Sequence, residues 1–119
     1  MILVVEDEFL VRELVTDSLK TNGYQVVEAC DGKDAREKMK HCGQHIDLIL
    51  TDIVMPGISG KQLVAELSKI QPKVKSLFMS GYSDDAALNQ GGLSDQVEFI
   101  QKPFSPASLV RKIQEILGE

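Results

Sequence analysis

An α/β three-layer sandwich with a parallel sheet is the fold that this sequence predicts, and two patterns predict it. Short runs of Val, Ile and Leu, each of strand length, alternate with longer segments whose apolar residues recur every three or four positions. Runs that are apolar throughout belong to strands covered on both faces, and strands alternating with helices pair in parallel through right-handed crossovers. A third pattern concerns where the runs stop. Ile2-Leu3-Val4-Val5 ends at Glu6 and Asp7, and the run from Ile46 to Thr51 ends at Asp52. Leu77-Phe78-Met79 ends at Ser80, and Val97-Glu98-Phe99-Ile100 leads through Gln101 to Lys102. Ligands of such sheets bind outside the carboxyl ends of the strands. Three carboxylates, a hydroxyl and an ammonium are therefore expected to meet at one edge.

The elements follow in order. After Asp7, residues Leu10, Val11, Leu14, Val15 and Leu19 recur at helical spacing until Asn22-Gly23 supplies a stop. Tyr24 to Ala29 reads as a second strand and Asp31-Gly32 as a turn. Ala35 and Met39 mark a weaker helix in charged surroundings. The third strand carries Asp52 at its end, and Pro and Gly keep the following Val54-Met55-Pro56-Gly57-Ile58 from being helical. Ser59 is the expected N-cap of a helix with Leu63, Val64, Leu67 and Ile70 on one face, and Pro72 lies just past its end. The fourth strand leads to a short helix over 83–90, terminated by Gly91-Gly92. After the fifth strand, Ser105-Pro106 forms an N-cap and N1 pair for a last helix bearing Leu109, Val110, Ile113, Ile116 and Leu117. Five strands and five helices occupy all 119 residues as one expected domain.

With 43% hydrophobic and 26% charged residues, the composition is that of an ordinary soluble globular protein. A net charge of -5 argues against nucleic acid as a direct partner, because a phosphate backbone needs a basic face. No apolar stretch approaches the ~20 residues that span a bilayer, so no membrane insertion is expected. The N-terminus enters a strand-like run without a basic leader, which makes a cytoplasmic location the expectation. Cys30 and Cys42 form no CxxC pair and define no disulfide framework. His41-Cys42-Gly43-Gln44-His45 has no second ligand pair near it and reads as a solvated helix end rather than a zinc site.

Hard oxygen ligands such as Asp7 and Asp52 suit Mg²⁺, which favours one or two carboxylates with waters and phosphate oxygens. Asp52 is also a competent covalent nucleophile toward phosphorus. A transferred phosphoryl group carries charge on three equatorial oxygens, and a metal, Lys102 and the Ser80 hydroxyl are available to neutralise it. Taken singly, these residues are helix caps, turn formers and surface charges. Their convergence at one sheet edge favours the chemical reading.

Four motifs, in order, span nearly the whole chain: Val4-Val5-Glu6-Asp7-Glu8, Thr51-Asp52-Ile53-Val54-Met55-Pro56 with Gly60, Met79-Ser80-Gly81-Tyr82, and Gln101-Lys102-Pro103-Phe104. Together they resemble the receiver domain of two-component response regulators. The resemblance implies a flavodoxin-like receiver fold with strand order 2-1-3-4-5. It implies an acidic pair in Glu6 and Asp7, the phosphoacceptor in Asp52, a switch hydroxyl in Ser80 and the phosphate-binding Lys102. Phe99 matches the aromatic switch position, and Lys102-Pro103 is the expected cis peptide. One Mg²⁺ or Mn²⁺ is implied, on Asp7, Asp52 and the Val54 backbone carbonyl, with Glu6, where many members have Asp, reaching it through water.

The implied function is phosphorelay signal transduction. A histidine kinase or histidine phosphotransfer domain passes its phosphoryl group to Asp52. The face formed by the fourth helix, fifth strand and last helix then changes its affinity for a downstream protein. The domain is expected to be no enzyme beyond slow self-hydrolysis, since Val54 cannot orient a water and Tyr82 is bulky enough to cover its approach. Phe78 to Tyr82 and Ile100 to Pro106 are most similar to receivers attached to hybrid sensor histidine kinases. An aspartate-nucleophile phosphatase of the haloacid-dehalogenase kind needs a second acid two residues past the nucleophile, where this chain has Val54. A flavodoxin needs a Ser/Thr/Gly-rich phosphate loop where Glu6-Asp7-Glu8 stands and would repel an anionic cofactor.

Overall fold

The computed structural model describes residues 1–41, 45–55, 57–81 and 98–118. The helix expected over 83–90, its Gly91-Gly92 stop, Tyr82, Val97, Pro56 and the centre of the Cys42 cluster lie outside these residues. The chain runs β1 (Ile2–Val5), α1 (Phe9–Thr21), β2 (Val26–Ala29), α2 (Gly32–His41), β3 (Leu48–Asp52), α3 (Gly60–Ile70), β4 (Lys75–Ser80), β5 (Phe99–Gln101) and α4 (Pro106–Leu117). The five strands are all parallel, in the order β2-β1-β3-β4-β5. No helix among the described residues is long and apolar enough to cross a membrane.

Alternation along the central strands divides the core in two, because successive strand side chains point to opposite faces. Ile2, Val4, Leu48 and Leu50 pack with Val15 and Leu19 of α1 and with Leu109, Val110 and Ile113 of α4. Leu3, Val5 and Ile49 pack on the other face with Ala35 and Met39 of α2 and Leu63 and Leu67 of α3. β1 and β3 are buried along their whole lengths, which is why both read as continuous apolar runs.

Two strands begin later than the apolar pattern predicts. Tyr24 belongs to the end of α1, where its N–H donates to the Leu19 carbonyl at 3.1 Å beside Gly23 at φ 90°, and β2 starts at Val26. Ile46 is buried, but its N–H donates to the Gln71 side-chain oxygen at 2.7 Å, so the β3 ladder starts at Leu48. The apolar stripe of α1 is also wider than the core it faces. Leu10 and Leu14 are 77% and 55% exposed, together with Phe9.

The third and last helices start on the expected caps. Ser59 accepts from the Gln62 N–H, and the Gln62 side chain accepts from the Ser59 N–H, both at 3.2 Å, a reciprocal capping box. Ser105 accepts from the Ser108 N–H at 3.1 Å with Pro106 following it. Gly60, the first residue of α3, lies directly under the end of β3. Its N–H donates to the Ile53 carbonyl at 2.9 Å, and a methyl group on it would run into the Asp52 carbonyl oxygen. Backbone, rather than a flexible side-chain tip, blocks that space. Gly60→Ala is therefore expected to lower unfolding free energy by about 1–3 kcal/mol in urea titrations, the usual cost of forcing an extra methyl group into packed structure. Wild-type stability in that variant would show that the backbone beneath Asp52 yields freely.

Candidate functional site

Register in the sheet assembles the site. Val5, Thr51, Phe78 and Phe99 stand side by side across β1, β3, β4 and β5. Just past that row come Glu6 and Asp7 after β1, Asp52 at the end of β3, Ser80 at the end of β4 and Lys102 after β5. The carboxyl edge of the sheet thus collects all five predicted residues.

Lys102 links the acids. Its Nζ lies 2.6 Å from Asp52 Oδ1 and 3.1 Å from Glu6 Oε2. Its backbone N–H donates to the Ser80 carbonyl at 2.6 Å, and the Lys102–Pro103 peptide is cis. Glu6 is wholly buried and Asp52 nearly so, whereas Asp7 is exposed. One carboxylate oxygen from each of Glu6, Asp7 and Asp52 lies within 4.8 Å of the others. Ser80 is buried at the same edge, while the Val54 and Phe99 side chains are about half exposed.

Burial and crowding together shift titration. Burial, followed by the facing Asp52 carboxylate, raises the Glu6 carboxyl to about 7, against the pull of the Glu8 N–H and Lys102. Burial alone would lower the Lys102 ammonium. Its hydrogen bond to Asp52 and the charges of Asp52 and Glu6 hold it above its ordinary value instead. Three hard oxygen donors so close together, with one ammonium among them, fit a small divalent cation. Arg12 is a contributor that the sequence reading misses. It reads as one more charged position on a helix, yet its Nη1 donates to the Glu6 carbonyl at 2.7 Å.

Residues 2–114 match the response regulator receiver domain. The chain belongs to that family. The receiver is 38% identical over 116 residues to the sensor kinase CckA of Brucella abortus, covering 98% of this chain and 12% of that protein. It is 30% identical over 116 residues to the chemotaxis protein CheY of Thermotoga maritima, covering 97% of this chain and 95% of CheY. The solved receiver domain of the hybrid histidine kinase CckA superposes with a TM-score of 0.80 at 31% identity, over 98% of this chain and 97% of that one. This is a receiver module of two-component signalling, similar to those of hybrid sensor histidine kinases. The second acid required by an aspartate-nucleophile phosphatase is absent from this receiver, whose residue there is the half-exposed Val54.

The Glu6 shift gives a pH dependence with a defined sign. The unfolded chain releases this proton near 4.5, and the folded chain keeps it to about 7. Stability from this group is therefore lost as pH rises between those values and is level on either side. In chelator, wild type should lose roughly 2–3 kcal/mol more than Glu6→Gln between about pH 4.5 and 7, measured by urea unfolding. Parallel pH profiles for the two proteins would refute the assignment.

Proposed function

We propose that this receiver acts in a cytoplasmic phosphorelay, taking a phosphoryl group from a phosphohistidine onto Asp52 and passing the signal to a downstream protein. The observation that carries the reading is the Asp52 carboxylate at the end of β3, with the Lys102 ammonium at 2.6 Å and two further acids beside it. Asp7, Asp52 and the Val54 carbonyl would hold Mg²⁺ or Mn²⁺, with Glu6 behind them, and the bound ion would supply charge neutralisation for the phosphoryl oxygens. An Asp52 oxygen forms the new bond to phosphorus as the bond from phosphorus to the imidazole nitrogen breaks, and that nitrogen keeps the electron pair. Lys102, already paired with Asp52, offers its ammonium to the incoming oxygens.

The donor side of the site is apolar. A groove of about 420 Å³ lies between Val11, Leu14 and Val15 of α1 and Pro103 and Phe104, with Lys102 in its lining. Exposed Phe9 and Leu10 extend α1's apolar surface. A helix of a histidine kinase or histidine phosphotransfer domain, presenting its phosphohistidine among apolar neighbours, suits this surface beside Asp52.

The output reading involves Ser80, Phe99 and the face of β5 and α4. A phosphoryl group on Asp52 gives the Ser80 hydroxyl an acceptor and draws its loop inward. Phe99, 49% exposed at the start of β5, then turns toward the space released. Glu98, just before it, pairs with Lys112 of α4 at 2.6 Å, so movement there reaches the helix. The switch is a two-state equilibrium biased by local contacts. Incubation with acetyl phosphate and Mg²⁺ should add one phosphoryl mass to wild type and to Ser80→Ala, and none to Asp52→Asn. Phe99 resonances should shift on phosphorylation in wild type and stay in place in Ser80→Ala. A label on Ser80 or a histidine would overturn the mechanism, and a full Phe99 shift without the hydroxyl would overturn the coupling.

A further inference from the structure

Glu6 is where the chain leaves the sheet. Its N–H donates to the Ala29 carbonyl at 3.1 Å, but its own carbonyl lies beyond the last ladder pairs of Val5. The residue is 0% exposed, and a buried carbonyl requires a donor from the protein. Arg12, one turn into α1, supplies it, through Nη1 at 2.7 Å.

The guanidinium has two further, looser neighbours. Its Nε lies 3.7 Å from Glu28 Oε1 at the end of β2, and its central carbon lies 5.5 Å from the centroid of the Phe9 ring. Only a planar fork serves a carbonyl, a carboxylate and an aromatic ring at once; a lysine ammonium is a single point on a flexible stem. The Glu28 contact is long and half exposed, so its own energy is small. The carbonyl bond is the short one.

That bond acts on the peptide plane joining Glu6 to Asp7, and the plane sets the direction in which Asp7 leaves the chain. The Glu6 side chain is held independently, by the Glu8 N–H at 3.1 Å and Lys102 at 3.1 Å. The Asp7 carboxylate is exposed, and no hydrogen bond orients it among the described residues. Asp7 therefore depends on its backbone for its aim.

We propose that Arg12 is a positioning residue of the phosphoacceptor site, holding the Glu6–Asp7 peptide so that the Asp7 carboxylate stays within reach of the cation shared with Asp52. This rests on the metal-dependent reading above. Arg12 would touch neither the metal nor the phosphoryl group; it acts through the backbone of the residue before a ligand.

Two readouts test it on the intact receiver: the N–H residual dipolar coupling of Asp7 in chelator, and Mn²⁺ affinity. Arg12→Ala should change the coupling and weaken Mn²⁺ binding roughly tenfold or more, the usual effect of losing a group that orients a ligand. Glu28→Gln removes the ion pair but keeps the carbonyl bond, and should leave both readouts unchanged. If Arg12→Ala does not fold, Arg12→Lys carries the test, since it keeps the charge and loses the fork; both readouts should again move. Wild-type coupling and affinity in the folded Arg12 variant would overturn the proposal, as would equal losses in Glu28→Gln. Asp7→Ala separates the two claims. If it binds Mn²⁺ as wild type does, the metal reading fails, while the Asp7 coupling still reports whether Arg12 sets the peptide.

Discussion

Three carboxylate oxygens within 4.8 Å of one another, with a single lysine ammonium bridging two of the side chains, form the constraint on which this receiver depends. Like charges held this close disfavour ionisation, and a flexible scaffold would let them spread apart. Burial raises the Glu6 carboxyl to about 7, and the facing Asp52 carboxylate adds that opposition to it. It is a local conflict of the kind that folded proteins retain where chemistry needs it.

The central strands make the conflict sustainable. β1 and β3 are buried from end to end, and their parallel register leaves Glu6 and Asp52 adjacent with no freedom to slide. Beneath Asp52, Gly60 brings the start of α3 against the backbone where any side chain would collide. Glu6 has its N–H, its carbonyl and both carboxylate oxygens bonded. The rigid half of the site thus lies between β1 and β3. Asp7, Phe9 and Phe99, which the proposed function has meet a ligand or a partner, sit at the exposed margin.

Much of this is legible in the sequence, for physical reasons. Strands covered on both faces are apolar at every position, so β1 and β3 are plain, and the polar residue ending each apolar run marks the carboxyl edge. Ser59 and Ser105 announce their helices because a cap needs an acceptor at one position only. Boundaries are less legible where a tertiary partner competes with the ladder. Tyr24 is claimed by the end of α1, and Ile46 by the Gln71 side chain, which no local pattern reveals. Leu10 and Leu14 satisfy the helical period yet face outward, because periodicity shows that a face is apolar and not what covers it. Arg12 escapes notice because its partner is a buried carbonyl left without a ladder partner where the chain exits the sheet, a feature with no sequence signature.

Removing the Asp52 charge should relieve this crowding of acids while metal is absent. The direct measurement is the melting temperature of Asp52→Asn against wild type, first in chelator and then in saturating Mg²⁺. Asp52→Asn should have the higher melting temperature in chelator, and the gap should narrow in Mg²⁺ because the ion binds the native wild type and stabilises it by mass action. Equal melting temperatures in chelator, or a gap indifferent to Mg²⁺, would contradict it.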